Sequence, residues 1–206
     1  TSGALSWIGK EVDSSDIIHE ILQDLIYYQK SGGGITLSGG EPLQQKDFAL
    51  DILQKCREHR IHTAVETNLL TDVNTLEAFL PWVDLWMCDF KMADDTLHRK
   101  WTGHSNVPII KNLEFLAKQA VPLTIRTPVI PNVNDSEEAI ESICRFIRQL
   151  PNQPAYELLG FHSLGFVKFE NLGMKNPLSN SAFLKKGQLQ KLKEILIRYN
   201  LNNNKK

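Results

Sequence analysis

Five short apolar runs in this chain each end in residues able to bind or react. They deliver Ser38-Gly39-Gly40-Glu41-Pro42, then Glu66-Thr67-Asn68, then Asp89 and Lys91, then Arg126, then His162. Carboxylates, an amine, a guanidinium and an imidazole gathered on one rim would bind a charged small molecule. A buried charged rim is costly unless it binds something. Gly39 and Gly40 carry no Cβ, so the backbone there can approach a ligand directly. Pro42 pushes Glu41 into extended geometry, which aims its carbonyl and side chain along the strand end. Such an edge suits a ligand bearing a donor, for instance an amino group. A phosphate is a poorer match, because GALSWIGKE fails the P-loop spacing and has no Ser or Thr after its Lys.

Taken singly, each group also has a structural use. Gly39-Gly40 could form a tight turn only, and Glu41 could sit at a helix N-terminus. Asp89 and Lys91, two apart on a strand, face one side and could pair. Arg126 could pair with Glu41 or Glu66, and His162 could be a hydrogen-bonded structural histidine. Their joint arrival at successive strand ends favours a site. Lys91 beside Asp89 would also suit a Schiff-base lyase, but that chemistry leaves Gly39, Gly40 and Glu41 idle.

The elements that must position these groups alternate along the chain. SSDIIHEILQDLIYYQKSGGG reads as a helix capped by Ser14 or Ser15. Its apolar face is Ile17, Ile18, Ile21, Leu22, Leu25 and Ile26, and Gly32 to Gly34 stop it. Strands follow at GITLSGG, IHTAVETN, VDLWMCDFK, PLTIRTPVI and AYELLGFH, separated by helical patterns and closed by KKGQLQKLKEILIRYN. The strands read as apolar rather than alternating, as expected when both faces are covered. The pattern predicts an α/β fold with a parallel sheet and helices outside, either barrel or open sheet. Five βα units are too few to close an eight-stranded barrel, so a partial barrel lacking its first strand fits. No linker divides the chain, which reads as a single domain over 1–206 with its core at about 14–200 and a frayed tail at 202–206.

With 206 residues and a formal net charge of -1, the chain can bury a core and carries no basic footprint for nucleic acid. No apolar run is long enough to span a membrane. Cys56, Cys88 and Cys144 are far apart, so they offer no metal cassette and read as packed thiols. Few cysteines and no secretion signal point to the cytoplasm. Asn134 opens an NDS sequon, which has no meaning without export. The first residue is not Met, so the chain reads as a cut piece.

The stretch TLSGGEPLQQ resembles the GGEP motif of radical S-adenosylmethionine (SAM) enzymes. SGGGITLSGGEPLQQ, HTAVETN, DLWMCDFK, HRKWTGHSN, IRTPVIPNVNDS and LLGFHSLGFVKFENLG together resemble, in order, the activating enzymes of glycyl radical enzymes. The resemblance implies a partial (β/α)6 barrel. It also implies a [4Fe-4S] cluster on a CxxxCxxC loop, and SAM cleaved reductively to a 5′-deoxyadenosyl radical. That radical would abstract hydrogen from a glycine of a pyruvate formate-lyase-like partner, with reduced flavodoxin or ferredoxin as electron donor. By the same resemblance, Gly39, Gly40 and Glu41 meet the methionine amino group, Asp89 and Lys91 match a D-x-K strand with Lys91 at the carboxylate, and His162 lies near the ribose and carboxylate. Arg126 is a further contact, and Glu66, Thr67, Met87 and Asp89 hold a monovalent cation.

The chain departs from that pattern in places. It has no CxxxCxxC, and TSGALSWIGKEV resembles the segment just after the last cysteine of a ferredoxin-like insert. The cluster ligands are therefore expected upstream, this stretch holds no catalytic residue of its own, and alone it should be inactive. Glu66 stands where the cation site usually has Asp, Leu69 where Gly is usual, and Gly160 and Ser163 replace Pro and a larger polar residue. A barrel that only docks a partner is the alternative function.

Overall fold

The computed structural model describes residues 9–119, 121–163, 165–179 and 183–201. The expectations for the first eight residues and for the tail at 202–206 lie outside the described residues, as does Leu164. The strands are β1 (Gly34–Leu37), β2 (His62–Thr67), β3 (Leu85–Asp89), β4 (Leu123–Val129) and β5 (Ala155–Gly160). The helices are α1 (Ser14–Gln23), α2 (Leu25–Ser31), α3 (Lys46–Glu58), α4 (Val73–Phe79) and α5 (Asp95–Thr102). They continue with α6 (Val107–Lys118), α7 (Glu137–Gln149), α8 (Phe166–Asn171) and α9 (Gln188–Arg198). Short 3-10 turns at Pro42–Gln45 and Leu80–Trp82 interrupt the alternation.

All four strand pairings are parallel and the sheet order is β1-β2-β3-β4-β5. A doubly wound sheet reverses its order at a switch point; this one never does. Right-handed crossovers then place successive helices on one side, the arrangement of a barrel arc. The open-sheet option is therefore set aside.

Register defines the two faces. Leu37, Val65, Trp86 and Leu123 stand side by side across four strands, and Cys88, Ile125 and Tyr156 form the next rung. These residues share one apolar cluster with Leu53, Leu76, Leu113, Ile140 and Leu192 of the surrounding helices. The opposite face carries Glu66, Met87 and Thr124 on one rung and Asp89, Arg126 and Glu157 on the next. So the strands do alternate, contrary to the apolar-run expectation. β4 buries Leu123, Ile125, Thr127 and Val129 and leaves Thr124, Arg126 and Pro128 half-buried. The reason is the arc itself: helices cover its outer face only.

The N-terminal helix differs from its expected form. Asp13, not either serine, is the N-cap, and its carboxylate accepts from the Ser15 amide at 2.8 Å. The helix breaks at Asp24, so Ile26 turns outward at 63% exposure. α1 is tied to α3 where Lys55 Nζ donates to Asp51 Oδ2 and to Ser14 Oγ, both at 2.8 Å. Ser14 in turn donates to Asp51. Helix α8 has no counterpart in the sequence reading. No helix among the described residues is long and apolar enough to cross a membrane.

Candidate functional site

At the carboxyl ends of β1, β2 and β3 a cleft of about 150 Å³ is lined by Ser38, Gly39, Gly40, Glu41, Glu66, Thr67, Asn68, Asp89 and Lys91. A larger cavity of about 240 Å³ lies between the Lys91–Asp94 loop and the start of α7, and shares only Lys91 with the cleft. The smaller one gathers the charged groups, so the chemistry belongs there.

Gly39 has φ +121°, a conformation that side chains rarely adopt, and a Cβ added at Gly39 or Gly40 would meet nothing within 4 Å. The backbone there borders open space, as a close-approaching ligand requires. Glu41 turns back toward the protein. Its carboxylate accepts from Thr67 Oγ1 at 2.7 Å, the Asn68 amide at 2.8 Å and the Leu43 amide at 3.3 Å. It thus caps the Pro42–Gln45 turn and ties the ends of β1 and β2 together.

Lys91 lies two residues beyond β3 and places Nζ 3.0 Å from Asp89 Oδ2. Arg126 reaches from β4 across β3 to Glu66 on β2, with Nη1 3.1 Å from Oε1 and 3.9 Å from the Met87 sulfur. The second Glu66 oxygen accepts from Ser38 Oγ at 3.2 Å. Arg126 Nε is buried with no partner among the described residues, a donor that a bound group could engage. His162 lies exposed two residues past β5 and does not line the cleft. The rim therefore joins Gly39, Gly40, Glu41, Glu66, Thr67, Asp89 and Lys91 directly. Arg126 joins it through Glu66 and also meets the Met87 sulfur, and His162 stays apart.

Three buried asparagines hold the loops of this rim. Asn134 Nδ2 donates to the carbonyls of Lys91 at 2.9 Å and Pro128 at 3.0 Å, while its Oδ1 accepts from the Ile130 amide at 2.7 Å. Asn106 donates to the carbonyls of Met92 and Ala93, and Asn112 to those of Leu69 and Thr71. The sequence reading missed all three. The signal was an amide residue near the start of a helix or loop that follows a strand, where carbonyls converge.

A profile of the Radical SAM superfamily matches residues 8–146, about two thirds of the chain. This chain belongs to the radical SAM superfamily. It is 40% identical over 172 residues to the isethionate sulfite-lyase activating enzyme of Desulfovibrio desulfuricans, covering 82% of this chain and 55% of that one. It is 34% identical over 188 residues to the pyruvate formate-lyase-activating enzyme of Clostridium pasteurianum, covering 91% and 79%. A solved domain of the pyruvate-formate lyase-activating enzyme from Bacteroides vulgatus superposes with a TM-score of 0.70 at 31% identity, covering 82% of this chain and 96% of that one. The chain spans 55–58% of the length of three isethionate sulfite-lyase activating enzymes.

Superfamily membership raises the question of which groups this chain could hold. The residues do not fit an iron–sulfur cluster. Cys56, Cys88 and Cys144 are buried and unpaired, with Cys88 on the helix-covered face of the sheet and the other two on helices. Desolvation pushes the Cys56 thiol up to about 11, the Cys144 thiol up to about 12 and the Cys88 thiol well above its usual range. The cleft does fit a zwitterionic amino acid group: open backbone at Gly39 and Gly40 and an ammonium at Lys91.

Proposed function

We propose that this chain is the SAM-binding part of an activase that places a glycyl radical on a partner enzyme. The observation that carries the reading is the open backbone at Gly39 and Gly40 beside the Lys91–Asp89 pair. Backbone carbonyls near the glycines would accept from the amino group, Lys91 would face the carboxylate with Arg126 behind it, and His162 would serve the ribose end. SAM supplies a sulfonium whose one-electron cleavage yields methionine and a 5′-deoxyadenosyl radical. Cluster ligands for that step are not among these 206 residues. The chain's own contribution is to bind and orient the cofactor.

The proposed partner is a glycyl radical enzyme of the pyruvate formate-lyase type in the broad sense. Identities of 38–41% to isethionate sulfite-lyase activases, against 34% to a pyruvate formate-lyase activase, tilt the reading toward a sulfonate lyase. The reading also takes residues 1–206 as one cytoplasmic domain fed by reduced flavodoxin or ferredoxin, with no membrane or nucleic-acid partner. A Schiff-base lyase would leave the open backbone at Gly39 and Gly40 without a use, so nothing favours it. The missing cysteine motif does favour a second reading, a barrel that docks the partner without chemistry.

Calorimetric titration of SAM into the 206-residue chain tests the proposal. Saturable binding that falls about tenfold in Lys91→Met supports it, a loss of about 1.4 kcal/mol. A chain that binds no SAM leaves the docking reading in its place.

A further inference from the structure

We propose that the Arg126 guanidinium, rather than a bound alkali-metal ion, is the resident counter-cation of Glu66. The resemblance to activases puts a monovalent cation among Glu66, Thr67, Met87 and Asp89, and the groups present do not fit one. Glu66 is engaged at both oxygens, by Arg126 Nη1 at 3.1 Å and Ser38 Oγ at 3.2 Å. Asp89 Oδ2 is held by Lys91 Nζ at 3.0 Å. The Thr67 hydroxyl donates to Glu41 and accepts from the Leu69 amide, so it is spent on the loop.

Charge makes the same point. Of the three rim carboxylates, Glu66 and Asp89 are each matched by a fixed cation, Arg126 and Lys91, while Glu41 is held by the Thr67 hydroxyl and the Asn68 and Leu43 amides. A further positive ion between Glu66 and Asp89 would be repelled by both cations and find neither of these two carboxylates unpaired. Burial sharpens this, since the Arg126 side chain is only 17% exposed and the Glu66 side chain 33%. Glu66 and Arg126 lie on β2 and β4 with β3 between them, so the pair depends on reach. The methylene that distinguishes Glu66 from Asp supplies part of that reach. A tethered counter-charge keeps Glu66 matched whatever sodium or potassium surrounds it.

The consequence for SAM rests on the proposed function; the occupancy of the rim by an ion does not. Thallium(I), a heavy mimic of potassium, reads that occupancy by anomalous scattering from crystals of the chain. Wild type should show no thallium between Glu66 and Asp89, and Arg126→Gln should acquire it. Glu66→Asp, which keeps the charge but shortens the reach, should acquire it as well and covers the case that the arginine variant fails to fold. SAM affinity of wild type should agree within about twofold between choline and potassium salts at equal ionic strength. Thallium bound in wild type, thallium absent from every folded variant, or a tenfold potassium effect on wild-type affinity would overturn the inference. A chain that binds no SAM in either salt defeats the proposed function, while the thallium result still decides the counter-cation.

Discussion

The side-chain amide of Asn134 donates to the main-chain carbonyl of Lys91 at 2.9 Å, from a position only 2% exposed. One residue of the β4–α7 connection thus sets the backbone that carries the rim ammonium. Asn134→Ala removes two donations and one acceptance and leaves carbonyls unmet. A loss of about 2–3 kcal/mol in urea unfolding is expected. At temperatures where the variant stays folded, SAM affinity should also fall about tenfold. Unchanged affinity in the folded variant would show that this bond does not position Lys91.

Gly34, which opens β1, and Gly40, which follows it, should behave oppositely. A Cβ on Gly34 would sit 1.8 Å from the His62 carbonyl oxygen, inside the β1–β2 pairing. Gly34→Ala must part the strands, and a loss of about 3 kcal/mol or more is expected in thermal melts. Gly40→Ala meets open space, so stability should change by less than about 0.5 kcal/mol. The methyl would instead stand where a ligand approaches, and SAM binding should weaken.

Leu69 adopts φ 58° while fully buried. Leu69→Gly would relieve about 1 kcal/mol of left-handed strain but leave a core void worth about 2–5 kcal/mol. Burial wins, so the urea midpoint should drop despite the better backbone fit.

Asp95 accepts from Ser105 Oγ, Arg99 Nε and the Asn106 amide, and these bonds hold its carboxyl down to about 2. A depressed carboxylate stabilises the fold above its unfolded value near 4, and that contribution fades as pH falls toward 2. Asp95→Asn should therefore flatten the acid limb of the stability profile between about pH 4 and pH 2 while lowering stability at neutral pH. An unchanged acid limb would show that the contacts of Asp95 do not drive it.

Much of the architecture was legible because each apolar run is separated from the next by helical patterns, and Gly32 stops its helix as expected with φ 69°. The periodicity left barrel and open sheet both open, since strand order is a property of long-range pairing; the strand count and the family resemblance pointed to the partial barrel that the strand order bears out. Outward exposure of Ile26 escaped notice because the Asp24 break shifts helical phase without a glycine or proline to announce it. At the rim, charge types were visible but commitments were not. The Asp89–Lys91 pair follows from spacing, whereas the Arg126–Glu66 pair joins strands two apart in the sheet. The inward turn of Glu41 depends on where β2 ends, a fact that no local pattern contains.

Asn112 belongs to α6, yet it grips the carbonyls of Leu69 and Thr71, in the connection between β2 and α4. Fluctuations of that connection are therefore coupled to a helix that lies beyond the next strand, β3, along the chain. Amide protons around 69–72 should open to deuterium in concert with α6 rather than with the neighbouring α4. Loosening of the arc at that distant helix would then reach the cofactor cleft without any rim residue being altered.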